Sequence, residues 1–372
     1  MQKNPDAFAW LRGILVLWIV LGHMLLNEHF HGIYSAGFAS IRDVGVLGKL
    51  LVLRFIGVDI LFMLSGLLLG LKYHALFSAT TTGKQMDRFY LKRLWRIYPL
   101  HLLTLMVIGA YAYFGVPHPI ASGNEGVIFA HWEWSLGLNL LLMHGWGIMP
   151  LASWNEPSWN LSIFFLLYIL FPNLLLLAKH LPEKPVLYVL AIGGLIGGYA
   201  LCRTWLDLGS QSDGAGAILR GLTFFSTGIL LACYSRVQPR PWPAMMTRLV
   251  VLGFIALIMV WTYVVQFPLM LLHMLYPALL LALLHGHRGT LAPAWGAWLG
   301  ARSFAVFLTH YPTLLLLRYF AADQLAAWAA EGPAMRAMCY VIALGCVLFI
   351  ADIATRLDWA MHRRHIAPHG AT

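Results

Sequence analysis

The sequence predicts an all-α fold, a polytopic integral membrane helical bundle of about ten transmembrane helices. Three observations predict it. Hydrophobic residues make up 60% of the 372 and charged residues only 11%, against roughly 45–50% and about 25% in an average soluble domain. Apolar runs of about 17–25 residues, the length a helix needs to cross roughly 30 Å of hydrocarbon, recur along the whole chain. The runs are continuous rather than alternating, so they read as helices, whose backbone groups pair within their own segment, and not as barrel strands.

Eleven apolar segments lie near residues 8–27, 50–72, 98–116, 134–149, 159–178, 185–203, 217–235, 248–265, 267–285, 298–319 and 336–355. The first lacks a small-residue cleavage pattern and contains Arg12 and His23, so it reads as a retained span rather than a signal peptide. The fourth is short, holds His144, Gly145 and Gly147, and stops at Pro150; a re-entrant stretch suits it as well as a crossing. Charge decides between the two counts. With a cytoplasmic N-terminus and a non-crossing fourth segment, the cytoplasmic connections carry Lys72 to Arg96, Lys179, Lys184, Arg236, Arg240, Arg248, Arg288, Arg356, Arg363 and Arg364. The outer side then keeps few basic residues, such as Arg42, Lys49 and Arg203, and its loops 117–134 and 320–335 carry Glu125, Glu133, Asp323 and Glu331. A full crossing would turn the later basic loops outward, against the positive-inside rule.

The expectation is therefore ten spans with both termini cytoplasmic, in the cell (inner or cytoplasmic) membrane, as a single membrane domain over residues 1–372. The formal charge of +10 sits between apolar runs and not on a polar domain, so the lipid bilayer and not nucleic acid is the expected partner. Cys202, Cys233, Cys339 and Cys346 lack the paired spacing of a metal site, and no metal is expected.

Three constellations carry chemistry. Arg12 and His23 are eleven residues apart in the first span; at 100° per residue they share one helix face, about 16 Å apart, and could address both ends of a long ligand. Arg12 would serve equally as an interface anchor and His23 as an interhelical hydrogen-bonding residue, but a buried ionisable group usually faces a cavity or a partner. Asp59, in Gly57-Val58-Asp59 of the second span, falls in the outer half with His23 and could fix its tautomer; the structural alternative is a pair with Arg54 or Arg318. Lys84, Arg88, Lys92 and Arg96 repeat every four residues, giving one basic stripe if that loop is helical. Such a stripe suits the phosphates of a nucleotide-tailed donor or anionic headgroups, and positive-inside anchoring explains it equally.

Taken together these segments resemble the acyltransferase 3 family of membrane O-acyltransferases that modify glycans. Arg12 and His23 match its arginine-x10-histidine pair, and residues 57–66 match its glycine-valine-aspartate motif ending in Ser65-Gly66. Arg88 to Pro99 is similar to its basic loop, and Ser303 to Pro312, with His310, to its late histidine-x-proline motif. The stretch Trp159-Asn160-Leu161-Ser162-Ile163-Phe164 departs from the pattern, because Phe164 stands where the family carries glutamate; Glu156 lies upstream in the loop. The resemblance implies transfer of an acyl group, commonly acetyl from acetyl-coenzyme A, to a hydroxyl of a cell-surface or exported polysaccharide or its lipid-linked precursor. Acyl-coenzyme A is then a donor substrate and no cofactor is permanently bound. Arg12 with Arg88, Lys92, Arg93 and Arg96 would hold the donor, and His23 would act as general base oriented by Asp59. Ser65, Trp159, His310 and His144 are candidate pocket residues. The rival class is a proton-coupled transporter or flippase using Asp59 and His23, and a third reading is a family member made inactive by the lost glutamate.

Overall fold

The computed structural model describes residues 5–26, 45–77, 81–114, 132–148, 154–206, 208, 214–263, 269–286 and 294–366. Arg42, Glu125 and Arg288 lie outside the described residues, as do the side chains of Glu133, Arg363 and Arg364. The chain folds into helices α1 (Pro5–Leu26), α2 (Gly45–Val52), α3 (Phe55–Tyr73), α4 (Gly83–Phe114), α5 (Trp132–Leu140), α6 (Trp159–Lys179), α7 (Pro185–Trp205), α8 (Gly214–Val237), α9 (Ala244–Tyr263), α10 (Leu269–His285), α11 (Ala294–Ala330) and α12 (Pro333–Ile366). No strand occurs among the described residues. Among the described residues, seven stretches are long and apolar enough to cross a membrane, α2 and α3 forming one of them, and α1, α9 and α10 supply three shorter apolar helices.

The fourth predicted segment does not cross. Its helix α5 has 9 residues, about 13 Å at 1.5 Å per residue, and ends in a turn where Leu142 takes a φ of 56° and Gly147 a φ of 78°. The helices on either side run antiparallel. The Tyr90 hydroxyl of α4 donates to the Ile169 carbonyl of α6 at 3.2 Å. At the opposite end Asn155, just before α6, donates to Thr104 Oγ1 at 3.3 Å. The connection between α4 and α6 therefore starts and ends at the same end of the bundle.

Helix pairs far apart in sequence agree with that count. Going along α3 and α8 together, Asp59 meets Arg220, Gly66 lies against the Phe225 backbone, and Gly70 against Ala232, so these two helices are parallel. So are α1 and α11: Ala9 and Gly13 lie against Gly300, and His23 meets His310 further along. Parallel packing requires each pair to differ by an even number of crossings, which holds when α5 stays on one side.

Close approach depends on missing side chains. A Cβ on Gly66 would overlap the Phe225 carbonyl oxygen, and one on Gly228 would overlap that of Met63. Without a hydrophobic force between helices in lipid, such backbone contact supplies the packing. Around it Ile56, Ile60, Phe62, Met63, Phe224 and Phe225 are fully buried. Leu249, Leu252, Val341 and Phe349, on α9 and α12, are exposed outward, as a lipid-facing surface should be.

The basic loop is helical and continuous with the third span, since α4 runs unbroken from Gly83 to Phe114. In its first turns Lys84, Arg88 and Lys92 are exposed, whereas Arg93 and Arg96 turn inward.

Candidate active site

Helices α1 and α11 bring together two histidines 287 residues apart in sequence: His23 Nδ1 and His310 Nε2 are 2.9 Å apart, with rings stacked at 5.1 Å and 7°. His310 Nδ1 lies 2.6 Å from the Phe307 carbonyl. A carbonyl only accepts, so His310 Nδ1 carries the proton and its Nε2 offers a lone pair. His23 Nδ1 must then donate to it, which leaves the His23 lone pair on Nε2. Hydrogen bonding alone selects the tautomer and fixes the ring.

The neighbouring backbone is arranged by Pro312. A proline lacks an N–H, so it leaves the carbonyl four residues earlier, that of Leu308, without its helical donor. Asn155 Nδ2 supplies that donor at 2.9 Å. The short 3-10 turn Glu156–Ser158 is thereby tied to α11 two residues before His310. Ser162, one turn into α6, holds the non-crossing segment: its hydroxyl accepts from the Gly145 N–H at 3.0 Å and donates to the Leu142 carbonyl at 2.8 Å.

At the other end of α1 lies a cavity of about 230 Å³ between α1, α3, α4, α6 and α11, lined by Arg12, Arg93, Arg96, Ser65, Asn160 and Phe164 among others. Along α11 its lining ends at Phe307, whose carbonyl carries the His310 bond. Arg96 is paired with Asp358 of α12 at 3.3 Å and lies 4.9 Å above the Phe304 ring. Arg93 lies between the rings of Tyr73 and Tyr168, at 5.9 Å from each. Arg12 Nε and Arg93 Nε are buried without a hydrogen-bond partner among the described residues. Three guanidinium groups thus face one cavity where Asp358 pairs with a single one of them, an imbalance that an anion with several oxygens would satisfy.

Several sequence expectations meet a different arrangement. Asp59 does not orient His23; its carboxylate takes Arg220 Nε at 2.5 Å, with His273 Nε2 at 3.6 Å. Arg220 also donates to the Phe55 carbonyl at 2.7 Å. The acid–guanidinium pair, both members about 97% buried or more, ties α3 to α8, and neither Arg54 nor Arg318 is the partner. Arg88 and Lys92 are exposed and do not line the cavity, because only Arg93 and Arg96, one turn apart, face it. Ser65 lines the cavity, whereas Trp159 lies beside it, under the Arg220 guanidinium at 5.8 Å and against Phe62. His144 bonds Ser158 at 3.0 Å and stacks on His101. Phe164 packs on Phe62 at 4.6 Å and forms an apolar wall of the cavity.

Sequence reasoning missed Arg220, although an arginine within an apolar span is itself a signal that a buried acid awaits it. His310 had a signal in its proline motif, but not its role as the acceptor for His23.

The fold is that of a polytopic helical membrane protein, with a cationic cavity at one end of its first helix and an oriented imidazole at the other. Residues 6–356 match the family model of the acyltransferase 3 type, described as an acyltransferase domain, and the chain belongs to that family. It is similar to the acyltransferase MdmB of Streptomyces mycarofaciens, at 32% identity over 150 residues, 40% of this chain and 35% of that protein. The chain thus matches about a third of that relative's length. No solved structure matches it.

Proposed function

We propose that the protein is a membrane O-acyltransferase that moves an acyl group, acetyl in the first instance, from acyl-coenzyme A to a hydroxyl of a cell-surface or exported polysaccharide or its lipid-linked precursor. The observation that carries this reading is the hydrogen-bond relay from Phe307 through His310 to His23, which leaves the His23 Nε2 lone pair available. In this reading the acceptor hydroxyl gives its proton to Nε2 as its oxygen attacks the thioester carbonyl. The C–S bond breaks, and the proton on His23 passes to the departing thiolate. His310 supports the imidazolium form by accepting from Nδ1. Arg12, Arg93 and Arg96 hold the donor's phosphates, and α1 links the two ends. In this reading the termini and this cavity lie on the cytoplasmic side, which the excess of basic connections supports.

The transporter reading needs Asp59 and His23 to act as a proton-coupled pair, and the binding of Asp59 by Arg220 gives it no support. The test is direct: purified protein in lipid receives radiolabelled acetyl-coenzyme A and a panel of glycans. Label enters glycan with the wild type and not with His23→Ala. Equal transfer by both removes His23 as the base. A stable protein that transfers from no common acyl donor refutes the enzyme.

A further inference from the structure

Asn160 carries a feature that the donor and base assignments leave unexplained. It lines the cavity, is only 5% exposed, and its Oδ1 is buried with no hydrogen-bond partner. Its side chain makes no hydrogen bond to any described residue. Its neighbours Ser158 and Ser162, by contrast, are both hydrogen-bonded: Ser158 to His144, and Ser162 to Leu142 and Gly145. A buried carboxamide left with both a donor and an acceptor vacant is costly, and a ligand that carries secondary amides offers both an N–H and a carbonyl. Because the N–H and C=O of a trans amide point in opposite directions, one amide satisfies one end of the carboxamide: Oδ1 accepts an amide N–H, and the Asn160 N–H is left to donate to a neighbouring carbonyl.

We infer that Asn160 reads a secondary amide of the substrate held in this cavity. The inference rests on the acyl-coenzyme A reading of the site. In chain order on α6, Asn160 precedes Phe164 and Tyr168, and the Tyr168 ring packs with Arg93. Asn160 therefore lies two turns from the guanidinium end of the cavity, towards Phe307, where the lining ends along α11. A nucleotide-tailed thioester with its phosphates among Arg12, Arg93 and Arg96 has a pantetheine arm, carrying two secondary amides, to lay along that distance. Val58, Leu61, Leu161 and Phe307 supply the apolar walls for its methylenes. The same amide chemistry occurs in the acetamido group of an amino-sugar acceptor, and the experiment separates the two sources.

The full-length protein in lipid is assayed with acetyl-coenzyme A and with analogues in which each pantetheine amide in turn is replaced by an ester, which keeps the carbonyl and removes the N–H. Leaving Asn160 Oδ1 unpaired should lower wild-type kcat/KM with one analogue by about five- to 150-fold. Asn160→Ala should lose a similar factor with acetyl-coenzyme A and no longer discriminate amide from ester, while Asn160→Gln retains part of the discrimination. In parallel, acceptors with and without an acetamido group are compared; Asn160-dependent preference for the acetamido sugar assigns the amide to the acceptor. Calorimetric binding of coenzyme A itself, read without turnover, separates the two levels of the argument. If coenzyme A binds and Asn160→Ala weakens it, Asn160 recognition stands even where no acyl group moves. Wild type that treats every amide and its replacement alike overturns the inference, with no variant needing to fold. So does a folded Asn160→Ala that discriminates as the wild type does.

Discussion

Replacing His310 with leucine tests the relay at its middle link. The substitution keeps an apolar volume on α11 and removes the acceptor 2.9 Å from His23 Nδ1. A buried donor left without its acceptor costs about 1–3 kcal/mol, about five- to 150-fold in rate if it falls on the reacting state. The imidazole can also escape that cost by moving its proton to Nε2, which removes the lone pair from the reacting atom. The ceiling is the whole contribution of a general base, about 10²–10⁴-fold. His310→Leu should therefore lower kcat by a factor between those bounds and leave the donor KM near its wild-type value, because Arg12, Arg93 and Arg96 are untouched. His310→Gln, whose Oε1 still accepts, should restore part of the loss. The assay is the initial rate of label transfer from acetyl-coenzyme A to glycan, with thermal unfolding in detergent as the control for folding. The double variant His23→Ala/His310→Leu decides the logic: if His310 acts only through His23, the double variant is no slower than His23→Ala. Wild-type kcat in folded His310→Leu, or losses that multiply in the double variant, would refute the relay.

Arg93→Gln and Arg96→Gln should each raise the donor KM, whereas Arg88→Gln and Lys92→Gln, on the exposed face, should leave it within a factor of about two; kinetics over a range of donor concentrations reads the split. Breaking the Asp59–Arg220 pair by Asp59→Ala or Arg220→Ala should cost about 3–5 kcal/mol, and removing both charges as Asp59→Leu/Arg220→Met should recover most of it; unfolding temperatures in one detergent measure this, and equal losses in single and double variants would contradict the clamp. Gly66→Val pushes a side chain into the Phe225 backbone and should lower stability by about 1–3 kcal/mol or prevent folding, seen as loss of monodisperse protein. For the topology, single cysteines replacing Ile148, beyond α5, and Glu183, between α6 and α7, should react with an impermeant reagent from opposite faces, Ile148 from outside; labelling of both from one face would reverse the count.

What the sequence made legible was what the bilayer enforces. Lipid leaves a crossing segment few options beyond an apolar helix, so a polytopic helical bundle with a short, non-crossing fourth segment could be read from run length and from Lys and Arg placement. The extension of α4 through Gly83–Phe114 was harder to read, because its polar half carries no span signal and only the spacing of Lys84, Arg88, Lys92 and Arg96 marked it as helical. That spacing drew attention to one stripe, whereas the cavity is met by Arg93 and Arg96, since burial against Tyr73, Tyr168 and Phe304 and not periodicity decides which cations face inward. The partner of Asp59 escaped for a related reason. Arg220 lies in a span whose Gly, Thr and Phe residues carry enough apolar weight to hide one cation, and its contact joins positions 161 residues apart. Nor could the protonation pattern of His23 be read from a single helix, because it is written in the geometry of a second one.

The parallel contact of α1 with α11 has a consequence for biogenesis. The ribosome delivers His23 into the membrane 287 residues before His310, the group that aligns it, and most of the described helices are threaded in between. Until α11 inserts beside α1, with Gly300 meeting Ala9, the nascent chain holds an imidazole with neither tautomer selected. On the proposed mechanism, a chain that stops before α11 lacks the aligned base and transfers no acyl group. The relay is thus a property of the bundle once α11 has joined it, and not of its first helix.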